Sequence, residues 1–221
     1  MPRIFLILAI GLVTFALPLG HCDESMTKDE LAKKYRGLVQ QLVSPNKEAT
    51  TDNGSSGRYA LPKGYDVSAQ KRIYAARQTL YDEFEEALPF LVEALDDDRY
   101  CMTIDWAEGD AYYNFSVGKI CRNMIASHLE VYRNKMRFSL RRWHQYTYPV
   151  SKEWWKKQNS RNLVELQIDA INWAIDQCRA EKEIPNQEIT DLQKLRDEIA
   201  KSRKATKPRR MLPMVPAVGE Q

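Results

Sequence analysis

The chain has 221 residues, a formal net charge of +3 and four cysteines, which suits one domain with a substantial buried core. A charge this close to neutral excludes a global nucleic-acid binder, which would carry a stronger basic bias. The positive charge is concentrated near the C-terminus, where a basic cluster is opposed only by Glu220: Lys201, Arg203, Lys204, Lys207, Arg209 and Arg210.

The first predicted element is a signal peptide over residues 1–22. Arg3 precedes an uninterrupted apolar run over residues 4–19, the arrangement of a secretory signal peptide. The run is short for a bilayer core about 30 Å thick, so cleavage after His21 or Cys22 is favoured over an uncleaved anchor. A lipidated Cys22 is the third alternative, because its segment resembles a bacterial lipoprotein box with His21 in place of a small residue. We therefore predict a periplasmic or secreted protein, with membrane contact only through this segment if it is retained.

Residues 23–66 are predicted to form one helix followed by a flexible linker. Thr27 and Glu30 match a capping box, and apolar residues follow at helical spacing until about Pro45. The stretch 46–58 is polar and contains two glycines, which is typical of a mobile linker.

Residues 67–201 are predicted to form an α-helical core domain. A helix over 68–95 is expected to kink or restart at Pro89, because proline removes a backbone donor and clashes with the preceding turn. A loop is then predicted as far as Ser116, followed by a helix from residue 117 to about Arg142.

Three further helices are predicted. Ser151 can cap a short helix that carries Trp154 and Trp155. The segment 163–178 confines its polar residues to one narrow stripe, so this helix should be covered on most of its circumference and lie centrally. A last helix is predicted over about 187–201.

The predicted fold class is all-α, because no strand-like alternation persists. The sequence Ala-Leu-Pro-Phe-Leu-Val-Glu-Ala-Leu-Asp-Asp at 87–97 resembles the first helix and turn of a HEAT repeat, and the likeness extends over about 87–142. It implies a HEAT-like helical hairpin within a compact bundle, since a solenoid needs several stacked copies. The chain is also similar to uncharacterised exported proteins of environmental bacteria, which implies no activity. The tail 202–221 is rich in proline and basic residues and is predicted to be disordered.

Cys101 and Cys121 are the pair predicted to form a disulfide, because an exported protein meets an oxidising environment. Closing a loop of about 20 residues contributes roughly 3 kcal/mol in the loop-entropy account. Buried reduced thiols are the alternative, since Cys121 and Cys178 lie on apolar helical faces where cysteine behaves as a small hydrophobe.

The segment 132–161 carries the strongest ligand-binding pattern. Nine basic residues face the single acid Glu153, and aromatic residues lie between them. Cations beside flat aromatic faces can bind an anionic polymer or a glycan. The candidate ligand-binding residues are Arg141, Arg142, Trp143, Tyr146, Trp154, Trp155 and Lys156. The alternative is that the aromatic side chains pack a helix corner while the basic ones meet acidic neighbours or water.

An acidic segment contains candidate oxygen ligands for calcium, the one cofactor considered: Asp96, Asp97, Asp98, Asp105, Glu108 and Asp110. Their spacing does not match an EF-hand, and solvated carboxylates with a basic partner such as Arg99 are the alternative. No catalytic residue is predicted, because the chain lacks HExxH, GxSxG and a glycine-rich phosphate loop. His128 lies on a core-directed helix, which favours a buried histidine over a general base.

These patterns favour a non-catalytic protein-interaction module with an unidentified protein partner. A helix pair presents side-chain surfaces, and the chain shows no recognisable reaction centre. Binding of an anionic or glycan polymer through 132–161 is the alternative, and a hydrolase has the least support.

Overall fold

The computed structural model describes residues 26–51, 59–60, 62–106, 111–134, 147–181 and 186–208. Within these ranges the chain forms seven α-helices, two antiparallel strand pairs and one 3-10 turn at Val131–Asn134. In chain order the other elements are α1 (Lys28–Gln41), β1 (Thr50–Thr51), β2 (Tyr59–Ala60), α2 (Val67–Asp82), α3 (Phe84–Glu93), β3 (Tyr100–Trp106), β4 (Ala111–Ser116), α4 (Val117–Leu129), α5 (Lys152–Gln158), α6 (Leu163–Ala180) and α7 (Asn186–Ser202). The predicted all-α class is confirmed.

The helices enclose one hydrophobic core, and seven residues of α6 are buried. α1 packs against α2 and α3, α3 against α4 and α5, and α6 against α4 and α7. Leu166, Ile171 and Ile175 of α6 are buried, whereas Glu165 and Asp176 of the predicted polar stripe are exposed. The prediction of a helix covered on most of its circumference is therefore confirmed.

α1 begins with the capping box that the sequence predicts from Thr27 and Glu30. Thr27 Oγ1 accepts a hydrogen bond from the Glu30 backbone N–H at 3.3 Å, and the Thr27 backbone N–H donates to the Glu30 carboxylate at 2.8 Å. That backbone bond, followed by the bond from the Thr27 hydroxyl, lowers the pKa of Glu30. Two donors at the helix start are thus satisfied.

The break predicted at Pro89 lies at Glu83 instead. α3 runs through Pro89 without interruption, whereas Glu83 separates α2 from α3 with φ −102° and ψ 41°. The Glu83 carboxylate accepts a hydrogen bond from Tyr35 at 2.9 Å and pairs with Lys34 at 2.6 Å. These two side chains belong to α1, so a tertiary contact holds the residue at the bend.

The loop predicted before Ser116 contains a β-hairpin. β3 and β4 are antiparallel, with Tyr100 opposite Ser116 and Met102 opposite Phe115, so Cys101 is left as a bulge residue. β3 contains two aromatic and two β-branched residues, and β4 contains three aromatic residues, and such side chains favour a pleated surface. The hairpin joins α3 to α4, where the sequence predicted an irregular connection.

The start of α4 lies close to the segment 95–99, which follows α3. The Val117 N–H donates to Arg99 O at 2.9 Å, and the Gly118 N–H donates to Asp97 O at 2.8 Å. A Cβ at Gly118 would lie 2.4 Å from Leu95 O, so this approach requires glycine. The likeness of α3 and α4 to a HEAT hairpin stays a prediction.

α4 ends well before Arg142, the end predicted for it. Glu130 leaves helical backbone values with φ −88° and ψ 45°. Its buried carboxylate accepts a hydrogen bond from the Tyr148 backbone N–H at 2.7 Å and pairs with Arg133. The remainder of the predicted helix, 135–142, lies outside the described residues.

The two chain ends are described to different extents. The predicted signal peptide, 1–22, lies outside the described residues, and export stays a prediction. Among the helices that are described, none is long and apolar enough to span a membrane. At the other end, residues 203–208 are described and Thr206 is hydrogen-bonded to Gln167, so this part of 202–221 differs from the predicted disorder.

Candidate binding cleft

A cleft of about 170 Å³ lies where α3, α5 and the start of α6 meet. Its apolar lining residues are Phe84, Leu88, Pro89, Trp155, Leu163 and Leu166, and its polar ones are Glu85, Asn159, Arg161 and Asn162. Three of the apolar side chains are buried, whereas three of the polar ones are exposed. The cleft therefore has an apolar base and a polar rim.

The two adjacent tryptophans of α5 point in different directions. Ser151 Oγ accepts a hydrogen bond from the Trp154 backbone N–H at 3.1 Å, which confirms the predicted cap. Successive helical side chains diverge by roughly 100°, so Trp155 lines the cleft while Trp154 faces Tyr148. The two indole rings are half-buried, 6.0 Å apart and tilted by 37°. They do not form one flat aromatic surface.

Tyr148 connects the segment before α5 to α6. Its hydroxyl donates a hydrogen bond to Asp169 and accepts one from Trp154 Nε1 at 3.0 Å, and its ring meets Trp173 edge-on. Asp169 also pairs with Arg161 Nη1 at 3.3 Å. Burial first, and then the bond to Asp169, raises the pKa of Tyr148. The hydroxyl therefore stays protonated and keeps its donor role.

Arg161 is a structural part of the cleft wall. Its Nη1 donates to Gln158 Oε1 at 2.7 Å, and its Nη2 donates to Glu165 O at 2.8 Å. Next to it, Asn162 Oδ1 accepts the Glu165 backbone N–H at 3.0 Å and caps α6. Because these groups hold the junction of α5 and α6, the rim groups best placed to meet a ligand are Glu85 and Asn159.

Two basic residues follow Trp155 on α5, although neither lines the cleft. Lys156 and Lys157 are exposed, and neither pairs with an acid in the described ranges. Lys152 instead pairs with Asp96 at 2.7 Å. Within those ranges, α5 therefore presents two uncompensated cations directly after Trp155.

The predicted ligand-binding residues have different outcomes. Trp155 lines the cleft, and Lys156 is the next residue of α5. Trp154 is hydrogen-bonded to Tyr148 instead. Arg141, Arg142, Trp143 and Tyr146 lie outside the described residues. The contribution of α3 is not predicted from the sequence, where the pattern places Phe84 and Leu88 on a core face and Pro89 at a kink.

The predicted disulfide between Cys101 and Cys121 is not formed in this structure. Both residues are buried free thiols, which agrees with the alternative interpretation. Burial raises the pKa of Cys101 to about 12 and that of Cys121 to about 12. The reactive thiolate is therefore suppressed at both positions.

His128 is buried in the core behind Phe84 and does not line the cleft. It is 5% exposed, its ring stacks on Phe84 with centroids 3.9 Å apart, and Tyr81 meets it edge-on. Its Nδ1 lies 2.9 Å from Met124 O. Burial lowers the pKa of His128, so the neutral ring acts as a packing element here.

Two members of the acidic segment, Asp96 and Asp97, meet basic partners. Asp97 pairs with Arg99 at 2.6 Å, and Asp96 pairs with Lys152. In the described part of the chain, no group of three or more His, Cys, Asp or Glu residues could hold a metal ion. Glu108 and Asp110 lie outside that part.

Comparison with known proteins found no matching family model, no matching curated protein and no matching solved structure.

Proposed function

We propose that this protein is a non-catalytic interaction module that binds a partner protein through the cleft between α3, α5 and α6. The observation that carries this proposal is the cleft itself, in which Trp155 forms a wall above an apolar base. Its volume of about 170 Å³ is below the 300–1,000 Å³ or so typical of small-molecule sites. A single large apolar side chain of a partner suits that space.

The described surface outside the cleft favours binding through one well-packed side chain over binding through a broad apolar interface. Among the residues whose side-chain exposure the structure describes, Met26, 44% exposed, is the one exposed large hydrophobic residue. Interfaces commonly gain most of their affinity from a few well-packed anchors, in which tryptophan is enriched. Trp155 is therefore the residue expected to dominate binding.

The two exposed basic residues that follow Trp155 on α5 favour a partner segment that carries acidic residues next to its apolar anchor. Lys156 and Lys157 follow Trp155 and have no ion-pair partner among the described acids. Complementary charge increases the association rate and specificity. A peptide with an apolar anchor and neighbouring Asp or Glu residues would match both the cleft and these cations.

Site-directed photo-crosslinking tests this proposal. A photoreactive amino acid at Asn159, on the rim, should capture a defined partner segment, whereas the same group at exposed Lys71 of α2 should not. A peptide with the captured sequence should bind the wild-type protein, and Trp155→Ala should weaken it by at least about tenfold. Capture of the same proteins from both positions, or unchanged affinity in Trp155→Ala, would contradict the proposal.

A glycan ligand is the second candidate, supported by the composition of the rim. Glu85 supplies acceptors, and the side-chain amide of Asn159 supplies both a donor and an acceptor beside Trp155. Sugar hydroxyls need both kinds of group, and a tryptophan face offers an apolar contact. Titration with neutral oligosaccharides should show binding that is insensitive to salt and is lost in Trp155→Ala. A steep dependence on salt would instead indicate an anionic polymer.

A further inference from the structure

We propose that a C-terminal basic patch, defined by Lys201, Arg203, Lys204 and Lys207, binds the surface of an anionic lipid bilayer. All four residues are exposed, and none pairs with an acid in the described part of the chain. The patch shares no residue with the α3–α5–α6 cleft. It therefore adds a second interaction surface that is independent of the proposed function.

The patch is held on the core by one buried amide. Gln167 of α6 is 0% exposed, and its Nε2 donates to Thr206 O at 2.9 Å and to His128 O at 2.8 Å. Its Oε1 accepts the Thr206 backbone N–H at 2.9 Å. If this segment moved away, a buried amide would lose two of its three hydrogen bonds, which is unfavourable.

A tight turn sets the direction of the patch. Arg203 has φ 52°, a left-handed conformation that non-glycine residues adopt only where neighbouring contacts hold it. Its backbone N–H donates to Ile199 O at 3.0 Å, and the Lys204 N–H donates to Ser202 Oγ at 3.3 Å. The chain therefore leaves α7 abruptly and reaches the Gln167 contact at Thr206.

This geometry concentrates positive charge on a short, fixed stretch. Three exposed cations lie within Lys201–Lys204, and Lys207 directly follows the residue that Gln167 holds. A basic residue close to an anionic bilayer strengthens binding by about fivefold. Four such residues in one place are enough for a measurable affinity.

The sequence after the patch favours a bilayer over a soluble anionic polymer. Arg209 and Arg210 extend the basic series, and Met-Leu-Pro-Met-Val follows at 211–215. Basic residues next to apolar ones are typical of segments that bind the membrane interface, where charge attracts and apolar side chains insert. A soluble polyanion would use the charge alone.

Co-sedimentation with lipid vesicles tests the proposal. The full chain is produced so that its own N-terminal processing takes place, and all variants share that N-terminus. Vesicles of phosphatidylglycerol mixed with phosphatidylcholine should bind the protein, whereas pure phosphatidylcholine vesicles should bind it far less. Substitution of all four patch residues by Gln should weaken binding to the anionic vesicles by about a hundredfold or more.

A charge-matched variant is the control. Lys33, Lys47, Lys63 and Lys71 are exposed in α1, α2 and the segment between them, and their substitution by Gln removes the same formal charge. This variant should keep most of the affinity. Equal losses in the two quadruple variants would overturn the proposal, because binding would then depend on net charge alone.

Two further measurements test the fixed geometry of the patch and its preference for a bilayer. Gln167→Leu leaves every charge in place, so a partial loss of vesicle binding with a native circular dichroism spectrum would support the role of the fixed geometry. Soluble polyphosphate should compete weakly at equal phosphate concentration. Tight polyphosphate binding without vesicle binding, or no binding to either, would overturn the proposal.

Discussion

The indole Nε1 of Trp154 donates a hydrogen bond to the hydroxyl of Tyr148 at 3.0 Å. That hydroxyl in turn donates to Asp169, so one tyrosine joins α5 to α6. Asp169 also pairs with Arg161, which lies in the cleft wall. The cleft is thus supported by a chain of polar contacts that lies behind Trp155, and not by contacts of Trp155 alone.

Tyr148→Phe is expected to destabilise the protein by about 1–3 kcal/mol, because Trp154 Nε1 would lose its acceptor in a partly buried site. Urea unfolding followed by circular dichroism measures this change. Tyr74 provides the matched control, since its buried hydroxyl has no hydrogen-bond partner among the described residues. Tyr74→Phe should leave stability unchanged or raise it slightly. Equal losses in the two variants would show that the Tyr148 network contributes nothing specific.

Gly118→Ala is expected to destabilise the protein by about 1–3 kcal/mol through overpacking. The added Cβ would lie 2.4 Å from Leu95 O and 3.0 Å from Asp97 O, and backbone atoms cannot move aside as a flexible side chain can.

Gly37 is the matched control for this substitution. It lies in α1 with no atom of the described chain within 4 Å of a built Cβ, so Gly37→Ala should stabilise the helix by about 0.5–1 kcal/mol. Thermal unfolding of the two variants should therefore shift in opposite directions. A shift in the same direction would contradict the close approach of Gly118 to the backbone of Leu95 and Asp97.

Local signals in the sequence identified the helix starts well. Thr27 and Ser151 predict the starts of α1 and α5, and the polar stripe predicts α6. The structure contains all three helices. Capping and amphipathic spacing depend on residues three or four positions apart. Such features can therefore be predicted from the sequence without knowledge of the fold.

Features that depend on residues far apart in the chain could not be predicted from local sequence patterns. The bend at Glu83 is held by Lys34 and Tyr35 of α1, which lie 48 positions or more away in the chain. The bulge at Cys101 interrupts the alternation of β3, so its strand pattern was missed. The cleft likewise needs Pro89 of α3 beside Trp155, a proximity that neither segment indicates alone.

The buried thiols should be unreactive in the native protein. Cys101 and Cys121 are 0% exposed and Cys178 is 1% exposed, and burial raises the pKa of the first two to about 12. Alkylation should therefore be slow until the chain is unfolded and should then modify all three. Mass spectrometry of the non-reduced, unfolded protein checks this. Loss of two hydrogens with Cys101 and Cys121 unmodified would instead establish the disulfide predicted from the sequence.

Glu130 should make stability fall as pH rises towards neutrality. Burial raises its pKa from 4.5 to about 7, although Arg133 and the Tyr148 backbone N–H oppose this. The folded state therefore binds more protons than the unfolded state between these pH values. By linkage, this group favours folding fully below about pH 4.5 and loses that contribution as pH rises through about 7.

Replacement of Glu130 isolates this effect from other titrating groups. His128, whose pKa is lowered by burial, has the opposite influence, because its unfolded form binds more protons and stability rises with pH. The test is therefore the difference between wild type and Glu130→Gln in urea unfolding from pH 5 to pH 8. That difference should change by about 2–3 kcal/mol in favour of the variant as pH rises. Parallel pH profiles for the two proteins would show that Glu130 titrates normally despite its burial.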